Sequence, residues 1–367
     1  MIVTITFAAC VIAFLFAINI GASGAAASMG IAYGSGAIKA RKVALLVCAA
    51  GIFLGAALGG GEVVKTIGSE IIPEDIITIN IALIILSSAT VSLFIANIAG
   101  IPLSTSEVTV GAVVGVGIAF KTLFVSSLFV IVAYWIIVPV IAFILAVVTN
   151  RGIQVIQRKW TFLSKGRWQK LLVVLVILTG FLEAFSAGMN NVANAVGPLV
   201  AAGLVPTNYG VLFGGLAVAV GAFLLGGRVI ETNGKKITEL SLLQGSAVSG
   251  IGGTLVVIAS LFGIPIPHTQ VTTCSILGIG VSDKGWRIFE KDVILRLLKI
   301  WLVSPFFSLV LSYNLVKLFL DFDIYAIGLV ICVFIATAGF MALWRPLRKR
   351  KPQAYQEKPA WEKVGGS

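Results

Sequence analysis

The chain reads as an all-α polytopic membrane protein built from two inverted-topology repeats with broken or re-entrant helices. Three observations carry that expectation. Hydrophobic residues make up 58% of the 367 positions and charged residues only 11%, against about 25% charged in a soluble globular chain. Apolar runs long enough to cross about 30 Å of hydrocarbon recur along almost the whole length. Several short motifs also occur twice, in the same order. The runs are continuous and lack the alternation of a transmembrane barrel, so they are read as helices.

The repeats can be laid over one another by eye. "NIGASGAAASMG" (19–30) matches "SAGMNNVANAVG" (186–197), with Gly21 on Gly188 and Gly30 on Gly197. "GIPLSTSEVT" (100–109) matches "GIPIPHTQVT" (263–272). "YWIIVPVIAF" (134–143) matches "IWLVSPFFSL" (300–309), with Trp135 on Trp301 and Pro139 on Pro305. The offset stays between 163 and 167 residues. The chain therefore divides into a first transmembrane repeat at 1–149, a basic cytoplasmic linker at 150–166 and a second repeat at 167–320. An extra transmembrane helix at 321–344 and a basic cytoplasmic tail at 345–367 follow.

Charge placement sets the orientation. Basic residues gather at 39–42, 150–170, 228–239 and 345–351, whereas 62–75 and 321–323 carry an acidic excess. Positive loops stay in the cytoplasm. The assignments agree only if each repeat crosses an odd number of times, about five, which inverts the second against the first. With the last span this gives about eleven crossings, N-terminus outside and C-terminus inside. The N-terminus has no positive n-region and reads as a first span rather than a cleaved signal. The net charge of +12 flanks the spans and has no soluble domain to sit on, which excludes a nucleic-acid partner. Cys10, Cys48, Cys274 and Cys332 sit singly in apolar segments without metal-ligand spacing, so no cofactor or metal is expected. One histidine and no spaced acid set also exclude a metal-dependent membrane enzyme.

Inverted repeats are the mark of alternating-access transporters, and paired Gly/Pro-interrupted segments point to their binding site. The small and asparagine-rich stretches (21–30, 188–198) and the "GIP" stretches (100–106, 263–269) are such pairs. Helix packing through small residues and amides explains one such segment equally well, but not both kinds in both halves. The candidate lining is Ser23, Gly24, Ser104, Thr105, Ser106, Asn190, Asn191, Asn194, His268 and Thr269, mostly donors without formal charge. Four broken segments could aim helix N-termini at one point, where free N–H groups and the dipole hold an anion. Pro102 and Pro265 fit helix starts. An oxyanion is the expected cargo.

At this point the motifs resemble those of the inorganic phosphate transporter (PiT) family. The second repeat keeps "GMNNVANAVGPL" (188–199) and "GGRVIETNGKKIT" (226–238), and the first keeps "GIPLSTSEVTVGAVVG" (100–115). The resemblance covers most of residues 10–320. It implies an inverted-repeat transporter of the plasma membrane, commonly a homodimer, that couples oxyanion uptake to sodium or protons. The departures are chemical. The family's Asn-Asp pair is Ser23-Gly24 in one repeat and Asn190-Asn191 in the other, so both aspartates are gone. Hydrogen phosphate has a proton to donate to a carboxylate, whereas sulfate only accepts. A donor-only site therefore favours sulfate, and the pattern resembles the family's bacterial sulfate permease branch. Phosphate or another oxyanion remains the alternative cargo.

Uptake of a dianion against a negative interior costs about 4.6 kcal/mol per 100 mV, so cotransported cations are required and a simple channel would drain sulfate. Without the aspartates, protons are favoured over sodium. Ionisable residues inside spans are functional candidates: Glu107, paired with Gln270 across the repeats, Glu183, Glu231 and His268. Glu107 follows the hydroxyl run directly and leads this group. An ion pair with Arg228 is the preferred reading of Glu231.

Overall fold

The computed structural model describes residues 2–98, 103–160, 166–227, 230, 240–286 and 292–323, with scattered positions up to 339. Pro102, Arg228, Glu231 and the basic tail lie outside the described residues. Among the described residues, secondary structure is helical throughout. The first repeat contains α1 (Ile2–Gly34), α2 (Arg41–Gly59), α3 (Gly61–Lys65), α4 (Ile79–Ile98), α5 (Thr105–Phe120) and α6 (Val125–Lys159). The second contains α7 (Gly166–Ala201), α8 (Thr207–Leu225), α9 (Leu242–Leu261), α10 (His268–Lys284) and α11 (Asp292–Phe319). Helix α3 runs on into a π-helical turn at Thr66–Glu70. Seven of these helices are long and apolar enough to cross a membrane, and α5 is a shorter apolar helix.

The second "GIP" stretch breaks the chain between α9 and α10, and in the first half Leu103 and Ser104 are non-helical before α5, residues 99–102 lying outside the described residues. The two short helices that follow have 16 and 17 residues. The small and asparagine-rich stretches do not break the chain. Helices α1 and α7 run through them without interruption for 33 and 36 residues. Burial is the reason: Ser186 to Leu199 are all buried, so the asparagine amides find partners on other helices and the backbone keeps its own ladder. Two helix N-termini, not four, are therefore available at the breaks. Pro267, rather than Pro265, stands at the N-cap of α10.

The repeats are interlocked rather than side by side. Helix α1 packs mainly on α7 and α8, α2 on α7 and α8, α5 on α11, and α10 on α6. Matched glycines make the crossings close. A Cβ at Gly21 would lie 1.9 Å from the Val218 carbonyl oxygen, and one at its counterpart Gly188 would lie 2.0 Å from that of Ile52. The short helices behave alike. A Cβ at Gly115 would stand 2.2 Å from Leu309 O, and one at its counterpart Gly278 would stand 2.5 Å from Phe143 O. Leu309 and Phe143 are themselves equivalent positions.

The inversion can be followed along α6. Phe124 at its start donates to Ile71 O, 2.9 Å away, beside the point where α5 ends. Asn150, about 39 Å further along α6 at 1.5 Å per residue, holds Asp283 at the end of α10 (2.7 Å). The short helices thus end at opposite ends of α6, with their N-termini between. The first of these ends carries the acidic 62–75 segment and the second carries Arg151, Arg158 and Lys159, as the charge rule requires. The outer face of α6 exposes Phe129, Ile136, Val140, Ile144 and Val148, a stripe suited to lipid.

Candidate functional site

The two short helices meet α7 and α1 at one pocket, lined by Ser23, Leu103, Ser104, Thr105, Asn191, His268 and Thr269. Ser104 and Pro267 are the N-caps of α5 and α10, and neither helix has a side-chain cap. Their first N–H groups are therefore free to serve a ligand, and both dipoles present a positive end. His268 Nε2 and Thr269 Oγ1 are buried without hydrogen-bond partners. Among the described residues, no carboxylate lines the pocket. Such a set of donors fits an oxyanion.

Behind the lining stands a network that holds it in place. Asn191 Oδ1 accepts from Thr105 Oγ1 at 3.1 Å, Asn190 Nδ2 at 3.3 Å and Asn194 Nδ2 at 3.5 Å. Asn194 Nδ2 also donates to Thr105 Oγ1 (3.3 Å) and Ser106 Oγ (3.4 Å). Asn190 is spent on backbone: it donates to Ile266 O (2.8 Å) and accepts from Ile266 N–H (3.1 Å), with a further bond to Ser106 Oγ (3.1 Å). Trp135 Nε1 adds a bond to Pro265 O (2.8 Å). The loop before α10 is thus tied from two sides. Ser23, in the place equivalent to Asn190, is too short to reach across and bonds Ile20 O in its own helix (2.9 Å).

The acids lie one layer further back. Glu107, 1% exposed, stands in the first turn of α5, and its two oxygens accept from Gln270 Nε2 and Ser304 Oγ. Glu183, 0% exposed, accepts from Thr272 Oγ1 (2.7 Å), while its Oε2 has no partner.

Of the residues expected from sequence, Ser23, Ser104, Thr105, Asn191, His268 and Thr269 come together around the pocket. Gly24 lies next to Ser23 in α1. Ser106, Asn190 and Asn194 form the supporting layer, and Glu107 and Glu183 stand behind it. Glu231 is outside the described residues. Sequence reasoning missed Leu103, Ser304 and Thr272. Ser304 aligns with Val138 and carried no signal, whereas Thr272 aligns with Thr109 and lay within the matched motif.

Comparison with known proteins supplies the family. Residues 20–312 match the phosphate transporter family. The chain is 53% identical over 350 residues to the sulfate permease CysP of Bacillus subtilis (strain 168), covering 95% of this chain and 98% of that one. A solved sodium-dependent phosphate transporter superposes with a TM-score of 0.71 at 26% identity, covering 86% of this chain and all of the other. This multi-pass membrane protein belongs to the phosphate transporter family.

Proposed function

We propose that the protein is a secondary active sulfate uptake permease of the plasma membrane, working by alternating access as a proton symporter. The observation that carries the reading is the pocket lining: hydroxyls, an amide, an imidazole and two uncapped helix N-termini, with no carboxylate among the described residues. Sulfate accepts hydrogen bonds and offers none, so it is matched by donors alone. The likeness to a bacterial sulfate permease over nearly the whole chain supports the same cargo. Ser23, Ser104, Thr105, Asn191, His268 and Thr269 hold the anion, and Ser106, Asn190 and Asn194 hold the lining.

Glu107 carries a coupling proton in this proposal. It is buried among neutral donors, and among the described residues no lysine or arginine is buried to neutralise it. Burying an unpaired charge is costly, so it crosses as the neutral acid. A homodimer, as the family resemblance implies, is part of the same proposal.

Sodium-coupled phosphate transport is the second reading, favoured by the name of the superposing structure. Labelled sulfate and phosphate uptake into proteoliposomes, under imposed pH or sodium gradients, separates the two. Sulfate accumulation driven by an inward proton gradient in sodium-free buffer is expected. Phosphate uptake that needs sodium would replace the first reading by the second.

A further inference from the structure

Glu183 has no part in the pocket lining and no counterpart in the other repeat. The equivalent position in α1 is Phe16, fully buried, and Thr109, the counterpart of Thr272, keeps a buried hydroxyl with no partner. The repeat architecture therefore does not require a carboxyl at this place. What surrounds Glu183 is polar but uncharged: Thr272 of α10 bonds one oxygen, and Ser249 of α9 lies beside the carboxyl. The titratable group facing the carboxyl is Cys48 of α2, and the His268 side chain of α10 bonds the Glu183 backbone. No cation reaches it among the described residues. A wholly buried carboxylate with one unpartnered oxygen and no counter-ion is too costly to keep charged.

Its position also couples it to the pocket. Thr272 sits one helical turn after His268 on α10, and the Thr272 hydroxyl lies 3.3 Å from the His268 carbonyl. The carboxyl stands on α7 but is sealed by the α9–α10 hairpin, whose loop is tied to Asn190 two turns further along α7. A movement of that hairpin against α7 would open the pocket and uncover Glu183 together.

We infer that Glu183 is a second proton carrier, distinct from Glu107, so that two protons cross with each sulfate. This rests on the proton-symport reading above. Each carboxyl takes one proton from the outer solution as the neutral acid and releases it to the cytoplasm. Sulfate and two protons then cross with no net charge.

The test is the accumulation ratio of labelled sulfate in proteoliposomes with the membrane potential clamped at zero. Two protons give about 100-fold accumulation per pH unit and one gives about tenfold. Wild type is expected at the higher value and Glu183→Gln at the lower. A wild-type ratio of tenfold, or an unchanged ratio in Glu183→Gln, overturns the second carrier while leaving symport intact. No response of the wild type to a pH gradient overturns symport itself. Should Glu183→Gln fail to fold, the accumulation ratio of Glu107→Gln decides. About tenfold per pH unit is expected with Glu183 as the remaining carrier, and no pH-driven accumulation by Glu107→Gln refutes the proposal.

Discussion

Gln270 Nε2 donates to the carboxylate of Glu107, and the two residues occupy equivalent places in the two repeats. Equivalent positions can touch only where the pseudo-twofold axis passes between them. The contact therefore marks the axis, and the pocket lies one residue pair away, at Thr105 and His268. On one side of the axis the position carries an acid, and on the other an amide. The protein has kept the symmetric scaffold and made its centre chemically asymmetric.

Replacing Glu107 by Gln keeps the bulk and hydrogen-bonding capacity but cannot carry a proton. Proton-driven sulfate accumulation at zero membrane potential should fall from about 100-fold to about tenfold per pH unit, while sulfate–sulfate exchange across the membrane continues. Full accumulation by Glu107→Gln vesicles would assign the proton elsewhere.

Asn191→Ala and Thr105→Ala remove polar groups from the pocket. A hydrogen bond to a charged group contributes about 1.5–3 kcal/mol, so each variant should bind sulfate roughly 10- to 100-fold more weakly by titration calorimetry. Affinities within twofold of wild type would remove these residues from the site.

Asn190→Ala should act differently, because its amide is spent on the Ile266 backbone. Leaving that N–H and C=O unpaired costs about 1–3 kcal/mol of stability. A lower unfolding temperature of the purified protein is the expected readout, whatever the ligand. A variant of wild-type stability that only binds sulfate less well would make Asn190 a ligand instead.

Gly188→Ala places a methyl group 2.0 Å from the Ile52 carbonyl oxygen. Helices α2 and α7 must then separate, at a cost of about 1–3 kcal/mol or more. Gly250→Ala is the control, since its Cβ would meet only Thr179 Cγ2 at an ordinary 3.5 Å. The first should yield less folded protein by size-exclusion chromatography after heating, and the second should match wild type. Equal behaviour of the two would contradict the close crossing.

Impermeant thiol labelling of single cysteines placed between 152 and 168 reports the orientation. Labelling only after the cells are opened is expected. Labelling from outside would invert the topology drawn from the charge rule.

The sequence by itself determined the class and the twofold repeat, and it singled out the segments that meet at the pocket. These are properties of composition and periodicity, which need no contact information: apolar length sets spans, and a motif repeated at constant offset sets the halves. It also singled out Asn190, Asn191 and Asn194, all three as lining of a site, because asparagine is a poor residue to face lipid. What it could not decide was which atoms those amides bond. Only the tertiary structure separated Asn191, which lines the pocket, from Asn190, which clamps a loop 76 residues away. Only there did α1 and α7 prove continuous, since packing against other helices satisfies polar side chains that would otherwise break a span. The placement of Glu107 between Gln270 and Ser304, residues 163 and 197 positions distant, likewise comes from the interlocking of the repeats. Each short helix packs on the last long helix of the other half, a pairing between distant segments on which local sequence pattern carries no information.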